Sequence, residues 1–225
     1  MIFDKNGLPR DSGATDFMDS ARLAGLIKLV GLPPMYLSMT GAADVTLYQK
    51  DGICYRYPFV DSNNPASDNP NNVTRDQMLC LTAGLWASGR QDIALKIYQK
   101  IKQRGFRAQN TEADVVGSKK PWYNGADIML PADINHFRLC AGLKPTVLGL
   151  LFLCLDILFF NHSTKLKEPN QLIAKCMVAG PKYVKMLSRA RISVCLKDYW
   201  LGWRMEPAFC NQILEKFNTV QQTEK

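Results

Sequence analysis

The sequence predicts a mainly α-helical protein of packed antiparallel helical hairpins, roughly eight helices in all, with one small β-hairpin. Apolar residues recur at helical spacing along most of the chain, and proline or glycine stands at the ends of these periodic segments. Only one pair of short segments has strand character. The 225 residues are 47% hydrophobic, and no Gly/Ser-rich linker divides them, so we expect a single domain over residues 1–225.

Three helices are expected in the first half of the chain. The first covers about residues 16–30, where apolar side chains share one face, and it ends at Gly31. The other two cover residues 75–88 and 91–104 and are separated by Gly89, which predicts an antiparallel helical hairpin. The second of these is amphipathic, because its isoleucines recur every four residues.

The predicted β-hairpin lies at about residues 45–57. Two segments rich in aromatic and β-branched residues, 45–48 and 53–57, flank the dipeptide Asp51-Gly52, which suits a tight primed turn. A polar loop at 61–74 follows the hairpin, and a second irregular region covers residues 105–131. Long loops in compact domains are uncommon and often functional, so these two loops are the first places to look for a site.

Helices resume near Ala132, with proline and glycine as boundary marks at Gly142, Pro145, Pro169, Gly180, Pro181 and Pro207. Residues 147–160 are almost entirely apolar, but a bilayer span needs about twenty residues. We therefore predict a central buried helix here and no membrane span. Asp156 lies inside this helix and would need a partner, because an isolated buried charge is costly.

Cysteine usage and the N-terminus point to the cytoplasm. The seven cysteines are scattered, odd in number and without a C-x-x-C pair, which favours buried free thiols in a reducing compartment. The first residues lack the charged and apolar regions of a signal peptide. With two histidines and no H-E-x-x-H, glycine-rich phosphate loop or G-x-S-x-G, the sequence does not support a metalloprotease, a P-loop nucleotidase or a serine hydrolase. We expect no cofactor and no metal.

The segment Thr74-Arg75-Asp76-Gln77 joins the first long loop to a helix. Its simplest interpretation is helix capping, since Thr74 is a good N-cap, Gln77 stands at the capping-box position, and Asp76 complements the helix dipole. The segment also resembles α/α-toroid carbohydrate-active proteins, in which a carboxylate sits at the mouth of a helical barrel. That resemblance implies a carboxylate role for Asp76. The alternative is a helical protein of a phage or bacterial type outside that family.

A hydrolytic site would combine the two long loops. Glycoside cleavage needs two carboxyl groups flanking one bond. Asp76 could pair with Glu112, Asp114 or Asp127 of the second loop, and the sequence does not choose among these acids. Beside them, an aromatic pair and polar or cationic side chains could bind a sugar ring or a base: Trp122, Tyr123, Asn124 and Arg75. The alternative for the aromatic pair is packing of the loop against the body.

His136 and Arg138 complete the predicted substrate-binding set. His136 follows Asp133 by three residues on a predicted helix, so it could carry a proton with a carboxylate partner. A single helical histidine is more often structural, and that alternative stays open. The predicted function is therefore a carbohydrate-active or related hydrolytic protein with a glycan ligand.

A second function rests on charge. The net charge is +8, and residues 165–225 carry 11 Lys and Arg against 5 Asp and Glu. Lys182, Lys185 and Arg189 stand at helical spacing on one predicted face, and Arg191 follows beyond it. We name these four cations the basic face. Such a face could bind nucleic acid or an acidic protein, which makes a non-enzymatic binding or inhibitory protein the alternative. The same residues could instead form an ordinary solvated face.

Overall fold

The computed structural model describes residues 2–4, 6–10, 20–30, 44–58, 73–109, 128–159, 169–192 and 215. These residues form a mainly helical protein, which confirms the predicted fold class. The helices are α1 Ser20–Val30, α2 Arg75–Ala87, α3 Gln91–Gln103, α4 Pro131–Cys140, α5 Val147–Phe159 and α6 Pro169–Tyr183. Residues 185–192 are also helical, so the number of helices in the described part is close to the prediction.

Two small antiparallel strand pairs accompany the helices. Strands β1 Ile2–Phe3 and β2 Pro9–Arg10 form the first pair, which was not predicted. Strands β3 Gln49–Lys50 and β4 Ile53–Cys54 form the second, joined through the predicted turn, where Asp51 and Gly52 have φ values of 51° and 81°. Positive φ at both central residues is the geometry of a primed hairpin turn.

The hairpin is shorter than predicted, because Val45–Tyr48 is a 3-10 turn and not a strand. Asp44 begins this turn and its side chain accepts a hydrogen bond from Thr46 N at 2.9 Å. Tyr48 is fully buried, and its hydroxyl lies 2.7 Å from Ser20 Oγ at the start of α1. A local cap and a tertiary contact therefore decide the conformation of a segment whose composition favours a strand.

Helices α1 and α2 pack in direct backbone contact. A Cβ atom at Gly25 would lie 2.1 Å from the carbonyl oxygen of Cys80, and one at Gly84 would lie 2.8 Å from the Cα of Gly25. Only glycine allows this approach. Gly142, just after α4, has a φ of 72°, so this glycine serves a turn.

The helical hairpin α2–α3 agrees with the sequence. Helix α2 ends one residue earlier than expected, and Gly89, with a φ of 70°, makes the connection to α3. The isoleucines of α3 at positions 93, 97 and 101 are all buried, and Lys96 is exposed. The apolar stripe of α3 thus packs on the body as its period predicts.

The central helix of the C-terminal half is α6 and not α5. Every residue from 172 to 180 is buried, including Lys175. On α5 only the inner face is covered, whereas Leu148, Leu151 and Leu158 are each more than half exposed. The prediction of a central buried helix at 147–160 is therefore wrong. Apolar content alone does not reveal which of two neighbouring helices lies inside.

Helix α6 also continues past Gly180 and Pro181, where the sequence predicted a boundary. Val184 N donates to Gly180 O at 2.9 Å, which carries the helical pattern across the proline. A Cβ atom at Gly180 would lie 2.2 Å from Ser188 Oγ. This glycine serves close packing and does not end the helix.

Five cysteines lie in the described part of the chain and are free, four of them buried and Cys154 partly buried: Cys54, Cys80, Cys140, Cys154 and Cys176. This confirms the free-thiol prediction for these five, while Cys195 and Cys210 lie outside the described residues. Across the described ranges, no helix combines the length and apolar content needed to cross a membrane.

Candidate functional site

The structure describes part of the predicted site. Of the predicted catalytic residues it places Asp76, and of the predicted substrate-binding residues Arg75, His136 and Arg138. The remaining candidates of the second loop lie outside the described residues: Glu112, Asp114, Trp122, Tyr123, Asn124 and Asp127. The four cations of the predicted basic face are all placed.

Asp76 lies at the start of α2, where the capping prediction is confirmed. Thr74 is the N-cap, and its backbone N–H donates to Gln77 Oε1 at 3.1 Å. The Thr74 hydroxyl donates to Asp76 Oδ1. The other carboxylate oxygen, Oδ2, is 3.5 Å from Arg22 Nη1 of α1, a partner that the sequence did not suggest. A hydroxyl and a guanidinium both stabilise the ionised form of this carboxyl group.

The two long loops meet beside Asp76. At the end of the first loop, Val73 O accepts a hydrogen bond from Gln109 N of the second loop at 3.2 Å. The far end of the second loop is held there too, because Arg75 Nη1 donates to Ile128 O at 3.4 Å, and Arg107 and Ile128 form an antiparallel bridge. The described ends of both loops therefore converge next to the first turn of α2.

Gln109 fixes this junction to the β-hairpin. Its Oε1 accepts from Cys54 N at 2.9 Å and its Nε2 donates to Cys54 O at 2.6 Å. Gln109 is only 4% exposed, so these bonds satisfy a buried amide. The start of the second loop is thus held by the hairpin on one side and by the first loop on the other.

A buried network of charges lies behind the junction. Lys175 Nζ of α6 donates to Asp133 Oδ1 of α4 at 3.0 Å and to Asp156 Oδ2 of α5 at 2.6 Å. Asp133 Oδ2 also accepts from Leu130 N at 2.9 Å and lies 3.8 Å from Arg75 Nη1. Two cations and two carboxylates from α2, α4, α5 and α6 therefore balance one another.

Lys175 stays charged in this environment. Burial by itself would lower the pKa of its ammonium group, but the carboxylates of Asp133 and Asp156 outweigh burial and raise that pKa. The prediction that Asp156 needs a partner is confirmed, and the partner is Lys175. Nothing in the local pattern of α6 identifies Lys175 as buried. In the sequence, the signal for a nearby cation was the carboxylate of Asp156 within an apolar segment.

His136 is enclosed by α2 and α4. Its Nε2 lies 2.9 Å from Leu79 O, 3.2 Å from Thr82 Oγ1 and 3.5 Å from Cys140 Sγ. Since a carbonyl oxygen only accepts, Nε2 carries the proton, and the buried Nδ1 has no hydrogen-bond partner. Burial, the largest influence, lowers the pKa of His136 to about 4, so the ring is neutral at neutral pH.

The geometry of His136 favours the structural alternative. The side chain is 1% exposed, and the carboxylate of Asp133 is bound to Lys175 and Leu130 N, not to the imidazole. Arg138 has a structural role as well, because its Nε donates to Lys144 O at 2.9 Å and its Nη1 to the Tyr98 hydroxyl at 3.2 Å. Arg138 thus ties the end of α4 to α3.

The basic face begins with Lys182 in the last turn of α6 and continues into the helical residues 185–192. Lys182, Lys185 and Arg189 are exposed, and Arg191 is partly buried. Lys182 Nζ lies 5.9 Å from the centre of the Tyr183 ring. Within the ranges that the structure describes, Lys185 and Arg189 form no salt bridge. Met186 between them is 80% exposed, so the face combines positive charge with an apolar side chain.

Comparison of the chain with protein-family models, with curated proteins and with solved structures gave no match. Among the residues that the structure describes, no group of three or more His, Cys, Asp and Glu is placed to hold a metal ion.

Proposed function

We propose that the protein binds and hydrolyses a glycan where its two long loops meet, with Asp76 as the ionised carboxylate of the site. The observation that carries this proposal is the convergence of both loops beside Asp76, through Gln109 N to Val73 O and Arg75 Nη1 to Ile128 O. Loops held on a rigid helical body are a common place for binding and catalytic groups. The resemblance of Thr74-Arg75-Asp76-Gln77 to carbohydrate-active toroids supports the same assignment.

The roles follow from the surroundings of each group. Glycoside hydrolysis needs one ionised carboxylate and one protonated carboxylic acid. Arg22 and the Thr74 hydroxyl favour the ionised form of Asp76, so Asp76 is the base or nucleophile. The acid then comes from the second loop, for which Glu112, Asp114 and Asp127 are the candidates. Arg75 precedes Asp76 and its Nη1 donates to Ile128 O of that loop at 3.4 Å, so we assign it to orienting the substrate.

The first experiment measures thermal stability with a panel of oligosaccharides, followed by release of reducing ends from any sugar that raises the melting temperature. Asp76→Asn should lower turnover by on the order of a hundredfold or more, the contribution expected of a catalytic proton-transfer group. Glu112→Gln, Asp114→Asn and Asp127→Asn, tested separately, identify the acid.

Asp92→Asn is the matched control. Asp92 also lies in the first turn of a helix and pairs with an arginine, Arg90, at 2.9 Å, but it lies on α3 and is exposed. This variant should retain full activity. If no sugar raises the melting temperature, or if Asp76→Asn cleaves at the wild-type rate while folded, the hydrolytic proposal is wrong.

The exposed cations favour a second candidate function, binding of nucleic acid through the basic face. Lys182, Lys185 and Arg189 are spaced at three and four residues along consecutive helical segments, so they project to a similar side. Such a row meets the phosphates of a nucleic-acid backbone. The half-exposed Tyr183 ring beside it could stack on a base.

Fluorescence anisotropy with labelled oligonucleotides over a series of salt concentrations tests this candidate. Lys185→Gln with Arg189→Gln should weaken binding and reduce the slope of log K against log salt by about 1.4 to 1.8, the loss of two phosphate contacts. Lys102→Gln on α3, an exposed lysine outside the face, should leave the slope unchanged. Equal binding of polyglutamate would instead indicate an acidic protein partner.

A further inference from the structure

Helix α5 presents an unusual apolar surface. Four leucines lie on its outer side, each between 40% and 56% exposed: Leu148, Leu151, Leu155 and Leu158. Val147 at the start of the helix is 86% exposed. We name these five residues the α5 seam. Single exposed leucines are normal on protein surfaces, but a continuous row of them along a helix marks an interaction site.

The spacing of the four leucines is that of a coiled-coil contact. Successive separations of three, four and three residues place them at the a and d positions of two heptads. The opposite face of α5 is occupied, because Leu153, Asp156 and Ile157 are buried against the body. The seam is therefore a second, separate apolar stripe on a helix that already packs on its own domain.

The chemistry of α5 narrows the choice of partner. Asp156 is the only charged residue on the helix, and it is bound to Lys175 inside the protein. The seam offers nothing to recognise a charged partner and no like charges to repel a second copy of itself. Leucine at every a and d position packs well against the same arrangement, as a two-fold symmetric contact requires.

The area is enough for a small interface. Helix α5 is about 20 Å long. Covering four half-exposed leucines and one exposed valine buries on the order of 500 Å² of accessible surface per copy. For two copies the buried surface is about 1,000 Å², which is the lower end for a specific interface. We propose that two copies of the protein associate through the α5 seam, in a weak, concentration-dependent dimer.

Sedimentation velocity of the full chain over a range of about 1 to 100 μM tests the dimer. The average mass should rise with concentration toward twice the chain mass. Leu151→Lys with Leu158→Lys places charges in the middle and at the end of the seam, and should weaken the association by at least about tenfold. Circular dichroism verifies that this variant is folded, which is expected because both side chains are exposed.

Met186→Lys is the matched control, since Met186 is 80% exposed and lies outside α5. It should dimerise like the wild type. Each copy carries a net charge of +8, so added salt should strengthen the dimer by screening repulsion between copies. Binding of nucleic acid would show the opposite dependence on salt.

Two outcomes would overturn the dimer. One is a wild-type mass that stays at one chain over the whole range. Binding of this monomer to vesicles of zwitterionic phosphatidylcholine would then assign the seam to a lipid surface. The other is association that the Leu151→Lys, Leu158→Lys double variant retains at wild-type strength, which would place the contact elsewhere on the molecule.

Discussion

Lys175→Met tests the buried charge network most directly. Methionine keeps the apolar stem of the side chain and removes the ammonium group, which lies 3.0 Å from Asp133 Oδ1 and 2.6 Å from Asp156 Oδ2. Asp133 would keep Leu130 N–H and Arg75 as partners, but Asp156 would lose the cation that holds it. A buried charge left without its partner is strongly unfavourable.

The cost follows from the burial of the pair. Lys175 is 6% exposed and Asp156 is 9% exposed, so water compensates little of the loss. Removal of one partner from such a pair costs about 3 to 5 kcal/mol in the free energy of unfolding. For a chain of this size, the melting temperature should fall by roughly 10 °C.

A double-mutant cycle with Asp156→Asn separates the ion pair from general damage to packing. Urea unfolding, followed by far-UV circular dichroism at neutral pH, gives the free energy for each variant. The double variant should be more stable than the sum of the single effects predicts, by roughly 2 kcal/mol. Lys102→Met at an exposed site should change stability by less than about 0.5 kcal/mol. Strict additivity of the two core variants would refute the role assigned to Lys175.

Three other predictions concern single sites. Burial lowers the pKa of His136 to about 4 in the folded protein, whereas the unfolded chain has the ordinary histidine pKa near 6.5. Below pH 6.5 unfolding therefore takes up a proton, and the free energy of unfolding should fall by about 3 kcal/mol between pH 6.5 and 4. Denaturant titrations of His136→Gln should lack this fall in stability. Burial raises the pKa of the Cys54 thiol to about 12, and it also raises the pKa of the Cys140 thiol far above its ordinary value. Neither thiol should react with a thiol reagent at pH 8 until the protein unfolds, and labelling followed by mass spectrometry checks this. Gly25→Ala should lower the free energy of unfolding in urea by about 3 kcal/mol or more, because its Cβ would lie 2.1 Å from a backbone oxygen of α2. Gly89→Ala should lower it by about 1 kcal/mol, because the new Cβ meets only open space and the cost comes from the positive φ.

Local chemistry in the sequence predicted much of the helical structure. The period of Ile93, Ile97 and Ile101 gave α3 and its buried face, and the cap at Thr74 gave the start of α2. Each of these features is decided by residues within one or two helical turns. The Asp51-Gly52 turn belongs to the same group, since only certain residues readily adopt its positive φ values.

Tertiary contacts decided the features that the sequence analysis missed. Residues 45–48 have strand-forming composition, but the buried contact between Tyr48 and Ser20 joins positions 28 residues apart. Lys175 is buried because of carboxylates 19 and 42 residues away, so no window around it could show that α6 is central. Hydropathy predicted that α5, and not α6, is the buried central helix, because it measures apolar content and takes no account of such ion pairs.

The candidate site shows the same division. The sequence predicted a candidate site at the loop-to-helix junction, because a long polar segment ends at the N-cap of a helix at Thr74. Arg22, the cation that pairs with Asp76, lies on an apolar helix 54 residues earlier in the chain. The sequence around Arg22 does not predict that its side chain lies beside Asp76. The α5 seam was hidden for a related reason, since a helix that is apolar on every side gives no sign of which face is covered.

Gln109 has a consequence for how the protein avoids aggregation. Its side-chain amide occupies both the N–H and the C=O of Cys54, as the backbone of a neighbouring strand would. The outer edge of β4 is therefore closed by a single side chain, without a third strand. An open edge is a template for strand addition from another chain, and natural proteins block such edges in several ways. Here the block is an amide carried by a loop, so any change that withdraws this loop from the body also uncovers a strand edge.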